Sequence, residues 1–407
     1  MSVSERWLLP DGVDELLPPE AWAVEQMRRS MLDAYARYGY ELVSPPLIEY
    51  IESLLTGTGN DLDLQTFKVT DQLTGRMMGV RADITPQVAR IDTHLLKSKG
   101  ISRLCYVDTV LHTRPAHTLT NRSPLQIGCE LFGEAGPSAD IEIISLMLNT
   151  LELAGVKQIH IDLAHVGIYR GLVESTEMTS ELESQLFDAL SRKSLPDLDA
   201  LAVAAENDNS KVSNKDNAVV IRLVRDIANL SGGIGALDQI RSKVEKLKSL
   251  LPSVVDAIDE LQAITLQIQK RFSNVHIGFD FCELRGYNYH TGILFSAFST
   301  SYGHALAKGG RYNEIGKDFG ESRPATGFSA DLKSLVRLVE KSRIDSAVKS
   351  DGVLAPAGSD EPLLEKITAL RKTQRVVQQL SDHDTHETYN CEKRLVLENN
   401  EWQLKDL

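Results

Sequence analysis

At 407 residues, 42% of them hydrophobic and 25% charged, the chain has room for two or three domains and the composition of an ordinary globular protein. A net charge of -13 excludes a broad electrostatic footprint for non-specific nucleic-acid binding, though not a local basic patch. Four cysteines (Cys105, Cys129, Cys282, Cys391) lie far apart without C-x-x-C spacing, which reads as buried thiols in a reducing compartment. No run approaches about 18 apolar residues, and MSVSERWLLPDG has no apolar stretch after a basic start, so a cytoplasmic chain without membrane spans is expected.

In chain order, Val24, Met27, Met31, Ala34 and Tyr38 recur at helical spacing, with Gly39 as the stop. YELVSPPLIEY is extended and interrupted by Pro45 and Pro46. FKVTDQLTGRMMGVR predicts two strands around a Leu-Thr-Gly turn, and TPQVARIDTHLL a helix that Thr85 caps and Pro86 opens. RLCYVDTVLH and SPLQIGCELFG are two more strands, so hairpins dominate and the sheet should be antiparallel. Helix DIEIISLMLNTLELAG is followed by KQIHIDLAHVGIYRGL, a strand and a helix start. From about Gly171 to Arg271 the chain turns helical; in its last helix Val254, Ile258, Leu261, Ile264, Ile268 and Phe272 form a packing stripe. Strands return with HIGFDFCELRGYNYHTGILFSAF and the glycine-rich AKGGRYNEIG. The end holds a strand GVLAPAG, a helix around Leu363 to Leu380 and a closing hairpin in RLVLENNEWQL.

Several of these elements carry polar side chains that converge. Gln126 and Glu130 share a strand face, with Gly128 between them leaving room for a ligand. Arg81, Asp83 and Thr85 share a face if their segment is extended. The loop before the strand carries His112, Arg114, His117 and Arg122. LRGYNYHTG contributes Arg285, Tyr287, Tyr289 and His290. Arg grips a carboxylate by two hydrogen bonds and carboxylates favour an ammonium or a ring N–H, so the set suits a small zwitterion. No phosphate-binding glycine loop, metalloprotease helix or nucleophile elbow occurs, and neither a metal nor a cofactor is expected.

Taken in order, YELVSPPLIEY, RADITPQVAR, LQIGCELFG, LRGYNYHTG, GGRYNEIG and RPATGFSADL resemble the catalytic domain of histidyl-tRNA synthetase, a class II aminoacyl-tRNA synthetase. The resemblance runs from about residue 8 to 340. It implies an α+β fold: an antiparallel sheet flanked by helices, with a helical insertion, dimerising near Pro46. It implies a discontinuous domain over residues 1–170 and 272–342, the insertion over 171–271, and a short C-terminal α/β remnant over 343–407. Asp83, Thr85, Gln126, Glu130 and Arg285 fall on the family's histidine-binding positions and Tyr312 on the tyrosine of its glycine-rich segment, while Tyr289 and His290 fall on a Tyr-Tyr pair. Asp83 replaces a longer glutamate, and His290 replaces the second tyrosine.

The family's ATP site is altered. In the F-R-x-E motif His112 stands for the arginine and Arg114 for the glutamate; in a register one residue earlier Leu111 and Thr113 take those places, and the arginine is missing either way. In the glycine-rich third motif, Asp331 stands for a glycine and Ser334 for the γ-phosphate arginine. Charge preorganised on the phosphates is usually the largest catalytic contribution, so adenylation should be lost. Only about 67 residues follow Glu340, on the order of half an anticodon-binding domain, and tRNA is not an expected ligand. The resemblance is then to a non-catalytic, histidine-binding paralogue. It implies the short-form ATP phosphoribosyltransferase catalytic subunit, a glycosyltransferase, as partner. L-histidine would be its allosteric ligand, within a hetero-oligomer containing a homodimer, with Arg114, His117 and Arg122 as remnants or a partner surface. The alternatives are an active synthetase with unusual motifs and a histidine sensor for another partner.

Overall fold

The computed structural model describes residues 7–56, 60–115, 121–207, 213–245, 251–284, 286–287, 289–314, 317, 322–338, 352–380 and 389–407. Contacts divide the chain into two units, residues 1–15 with 27–338 and residues 16–26 with 339–407.

The first unit is organised on a nine-stranded sheet. Its strands run from edge to edge as Glu41–Leu42, Ser102–Thr109, Leu125–Phe132, Ala325–Asp331, Tyr302–Arg311, Ile293–Ser299, Ile159–His165, His276–Asp280 and Ser231–Gly232. Pairing is antiparallel from Ser102–Thr109 across to Ile159–His165, as the hairpin pattern implies. Parallel pairs join Glu41–Leu42 to Ser102–Thr109 and His276–Asp280 to Ile159–His165, so the sheet is mixed. Each parallel pair is bridged by a long stretch of chain, which parallel pairing requires; for the second, that stretch contains the helical insertion. The glycine-rich run of AKGGR is part of the strand Tyr302–Arg311, where a side chain at Gly309 would run into the Gly327 carbonyl and the Phe295 ring.

Helix Pro252–Arg271 buries Val254, Ile258, Leu261, Ile264 and Ile268 and packs on helices Pro137–Leu153 and Val166–Glu174, so the apolar stripe is a core face. TPQVARIDTHLL forms an α-helix over Thr85–Arg90 that continues as a π-helix over Ile91–Leu96. Thr85 is not its cap. Thr85 is already the first helical residue, after Ile84; the Asp83 carboxylate accepts a hydrogen bond from its N–H at 3.1 Å, and its hydroxyl turns to another partner. A separate three-stranded sheet joins Ile48–Tyr50, Met77–Val80 and Phe67–Thr70. Arg81 turns away from any site: its buried guanidinium donates to Pro45 O and Thr109 O and pairs with Asp108, fixing the Pro45–Pro46 segment.

The second unit has a four-stranded sheet ordered Val376–Gln378, Gly352–Ala355, Cys391–Glu398, Glu401–Asp406. Helix Glu361–Leu370 covers a core of Val353, Ala355, Leu363, Ile367, Val376 and Leu395. It stops ten residues short of Leu380 because Val376–Gln378 returns as a strand parallel to Gly352–Ala355, making a βαβ unit. The closing hairpin turns at Asn399 and Asn400, both at positive φ, the backbone of a tight two-residue turn.

Candidate functional site

The strand Leu125–Phe132 lies in the sheet interior, between Ser102–Thr109 and Ala325–Asp331. Its register sets Leu104 and Gly327 beside Glu130, Tyr106 and Ser329 beside Gly128, and Asp108 and Asp331 beside Gln126. Directly paired residues share a face, so the polar groups of three strands meet under helix Thr85–Arg90. Gly327 is obligatory here, because a Cβ at that position would overlap the Glu130 carboxylate at 1.6 Å. Gly128 leaves no empty room. Its space is taken by the Tyr106 phenol, whose oxygen lies 2.5 Å from where a Cβ would be.

Glu130 is buried and accepts three hydroxyl hydrogen bonds, from Thr85 Oγ1 at 3.0 Å, Tyr106 Oη at 3.1 Å and Tyr312 Oη. Burial pushes its carboxyl up to about 8; the Tyr312 hydrogen bond opposes that rise and the Asp83 charge adds to it. Asp83 Oδ1 accepts from Gln126 Nε2 at 2.8 Å, while Gln126 Oε1 accepts from Ile84 N at 3.0 Å, so the amide cannot flip without losing both. Asp83, Thr85, Gln126, Glu130 and Tyr312 are therefore one network. Tyr106 belongs to it and went unseen in the sequence, because only the pairing of two neighbouring strands sets it opposite Gly128.

Tyr289 stacks on Tyr312 with ring centres 5.1 Å apart and 21° between planes, and meets His290 edge-on. Its hydroxyl is buried and has no hydrogen-bond partner among the described residues. An orphaned hydroxyl beside a carboxylate network is a place for a ligand polar atom. His290 fills space left by Gly286 and Gly310, and burial pushes its imidazole down to about 4, so the ring is neutral. Its Nδ1 lies 3.2 Å from Gly286 O, an acceptor, so Nδ1 carries the hydrogen. Arg285 and His117 lie outside the described residues.

The positions expected to have lost their phosphate role are engaged elsewhere. His112 Nε2 contacts Ala82 O at 2.9 Å and Arg114 is exposed. Ser334 donates its hydroxyl to Asp331 Oδ2 at 2.5 Å, and Asp331 also accepts from the N–H groups of Leu125, Lys333 and Ser334. Asp331 thus occupies the N-terminus of helix Leu332–Leu338 with a carboxylate. Lys333 and Arg337 are drawn to Asp14, and Arg122 to His112 O and Asp11 O.

Fixed carboxyls, an amide and hydroxyls thus form one polar cluster on a synthetase-like sheet. Residues 12–335 match the histidyl-tRNA synthetase family, and the chain belongs to it. Within it, the chain falls among the ATP phosphoribosyltransferase regulatory subunits: it is 49% identical to one from Marinobacter nauticus and 48% identical to one from Pseudomonas aeruginosa, each over all of both chains. Residues 350–405 match the ATP phosphoribosyltransferase subunit HisZ C-terminal domain. Among solved structures, the chain is similar to an ATP phosphoribosyltransferase regulatory subunit/histidyl-tRNA synthetase from Bacillus halodurans, with TM-score 0.75, 24% identity, 95% of this chain and 97% of that one. It is also similar in fold to a chain of an ATP phosphoribosyl transferase (HisG:HisZ) complex from Thermotoga maritima, with TM-score 0.58, 16% identity, 78% of this chain and 98% of that one.

Proposed function

We propose that the chain is the non-catalytic regulatory subunit of a cytoplasmic ATP phosphoribosyltransferase, activating a short catalytic subunit and making it sensitive to L-histidine in the first step of histidine biosynthesis. The observation that carries this reading is the split condition of the site. Hydrogen bonds join Asp83, Thr85, Gln126, Glu130 and Tyr312, which supports an amino-acid site, while Asp331 and Ser334 bond each other at positions where the family has a glycine and the γ-phosphate arginine. Histidine would lie with its ammonium toward Asp83, Thr85 and Gln126 and its ring toward Glu130, Tyr289, His290 and Tyr312. Arg285 would receive its carboxylate. With His112 and Ser334 in place of arginines, the chain would bind the amino acid without adenylating it.

A second copy of the chain is the proposed neighbour at the three-stranded sheet. Pairing sets Ile48, Tyr50, Phe67, Val69, Met78 and Val80 on one of its faces, and none of the six is buried. An apolar sheet face of this kind supports a homodimer within the hetero-oligomer.

The test is phosphoribosyl-ATP formation by a short catalytic subunit, with and without this chain, each with and without histidine. Activation that histidine reverses is the expected result. Failure to activate, or activation indifferent to histidine, would overturn the regulatory or the feedback half of the proposal respectively.

A further inference from the structure

The loop that carries Tyr289 and His290 is held from outside the pocket. Within it, the N–H groups of Tyr289 and His290 both donate to Gly286 O at 2.8 Å, and Gly286 takes φ +70°, a tight turn that glycine permits. Tyr287 faces away from Tyr312. It packs edge-on against Tyr169 at 5.4 Å and at a tilt of 47° against Phe187 at 5.3 Å, beside Ala164, Val166 and Leu294. Phe187 sits on helix Ser180–Ser191, within the helical insertion, and also meets Tyr169 at 6.0 Å. Arg170, on helix Val166–Glu174 that leads into the insertion, lies 5.2 Å over the Tyr287 ring and donates from Nη2 to His290 O at 3.3 Å. A charged donor on the backbone of His290 and an aromatic wedge on Tyr287 therefore grip the chain on either side of Tyr289.

We propose that the helical insertion and the helix leading into it set the ligand affinity of the pocket through Phe187 and Arg170, which position Tyr289 and His290 without contacting the ligand. The inference rests on the reading of this site as an amino-acid pocket. Physically, Tyr289 can stack on Tyr312 and offer its hydroxyl only while its loop keeps its place. The cation over Tyr287 and the charged hydrogen bond to His290 O are both lost when Arg170 is removed, which corresponds to about a tenfold change in affinity. Reciprocity follows: any partner that shifts helix Ser180–Ser191 alters ligand affinity, and the ligand must alter that partner's affinity by the same factor.

The experiment uses the full chain as wild type, Arg170→Ala, Arg170→Lys and Phe187→Ala. L-histidine affinity is measured by titration calorimetry, and hydrogen exchange is followed in the unliganded protein over the peptide containing Tyr289 and His290. Each alanine variant is expected to weaken binding about tenfold and to speed exchange of that peptide, with Arg170→Lys recovering most of both. Alanine variants that lower the melting temperature but leave affinity and exchange unchanged would reduce both residues to packing and overturn the inference. If the wild type takes up no L-histidine, the reading of the pocket fails. The exchange comparison then decides the positioning on its own: faster exchange sustains it and unchanged exchange overturns it.

Discussion

Replacing Glu130 with glutamine separates what the pocket gains from this carboxyl and what the fold loses by it. Burial moves the group from its ordinary 4.5 up to about 8, so between those pH values the folded chain holds a proton that the unfolded chain has released. When the folded state binds more protons, stability falls as pH rises, at about 1.4 kcal/mol for each pH unit within the window. Bringing Glu130 from pH 5 to pH 7 therefore removes about 2 to 3 kcal/mol. Glutamine has no such titration. It does leave one of the three hydroxyls of Thr85, Tyr106 and Tyr312 poorly matched, at a cost of about 1 kcal/mol at every pH.

The two effects nearly cancel at pH 5, and at pH 7 the Glu130→Gln protein should be more stable by about 2 kcal/mol. Denaturant unfolding of both proteins at pH 5, 6 and 7 measures this, and the comparison cancels every other group that titrates alike in the two chains. Histidine affinity should fall about tenfold in the variant, since an amide replaces the carboxyl oxygen that the ligand's donor would bond. A stability difference that does not grow with pH would refute the protonated Glu130. Unchanged histidine affinity would mean the pocket lies elsewhere.

Two further outcomes are expected. Arg311→Ala should cost about 3 to 5 kcal/mol in denaturant unfolding, because Asp140 is fully buried and receives the Arg311 guanidinium at 2.7 and 3.0 Å; a loss under about 1 kcal/mol would refute that account. The double variant His112→Arg with Ser334→Arg should remain inactive in ATP-pyrophosphate exchange, since Asp331 still caps its helix, and recovered exchange would overturn the proposed loss of adenylation.

What the sequence revealed of this molecule is what short-range periodicity can carry. Two-residue alternation puts Gln126 and Glu130 on one face, and the helical stripe from Val254 to Ile268 marks a core face. The errors arose where two groups compete for one local role or where a distant strand decides. Thr85 before Pro86 has the form of a helix cap, but its hydroxyl is drawn to Glu130 across the sheet, while the Asp83 carboxylate accepts from the Thr85 N–H. Gly128 signals open space only until the register of Ser102–Thr109 brings Tyr106 beside it. Arg81 alternates onto the same face as Asp83 on paper, yet the carbonyls of Pro45 and Thr109 and the Asp108 carboxylate draw it inward. The stacking of Tyr289 on Tyr312 depends on how a loop and a strand end meet, which no single segment encodes.

The proposed separation of binding from chemistry has a physical basis in where each half of the site is anchored. Glu130 and Gln126 are held in the sheet interior, their positions set by Gly327, Tyr106 and the backbone of Ile84. The proposed phosphate half would draw on a loop and on Asp331 and Ser334 at the start of helix Leu332–Leu338, two positions that are only partly buried. There a substitution can even benefit the fold: Asp331 satisfies N–H groups of Lys333 and Ser334 that an uncapped helix would leave open, a stabilisation of about 1 kcal/mol. If adenylation is lost as proposed, the carboxylate that supplies it would also lie beside the position expected to hold the γ-phosphate, so one residue would both strengthen the helix and disfavour ATP. A chain under selection only to bind the amino acid would gain from that exchange, whereas one that still had to adenylate it would not.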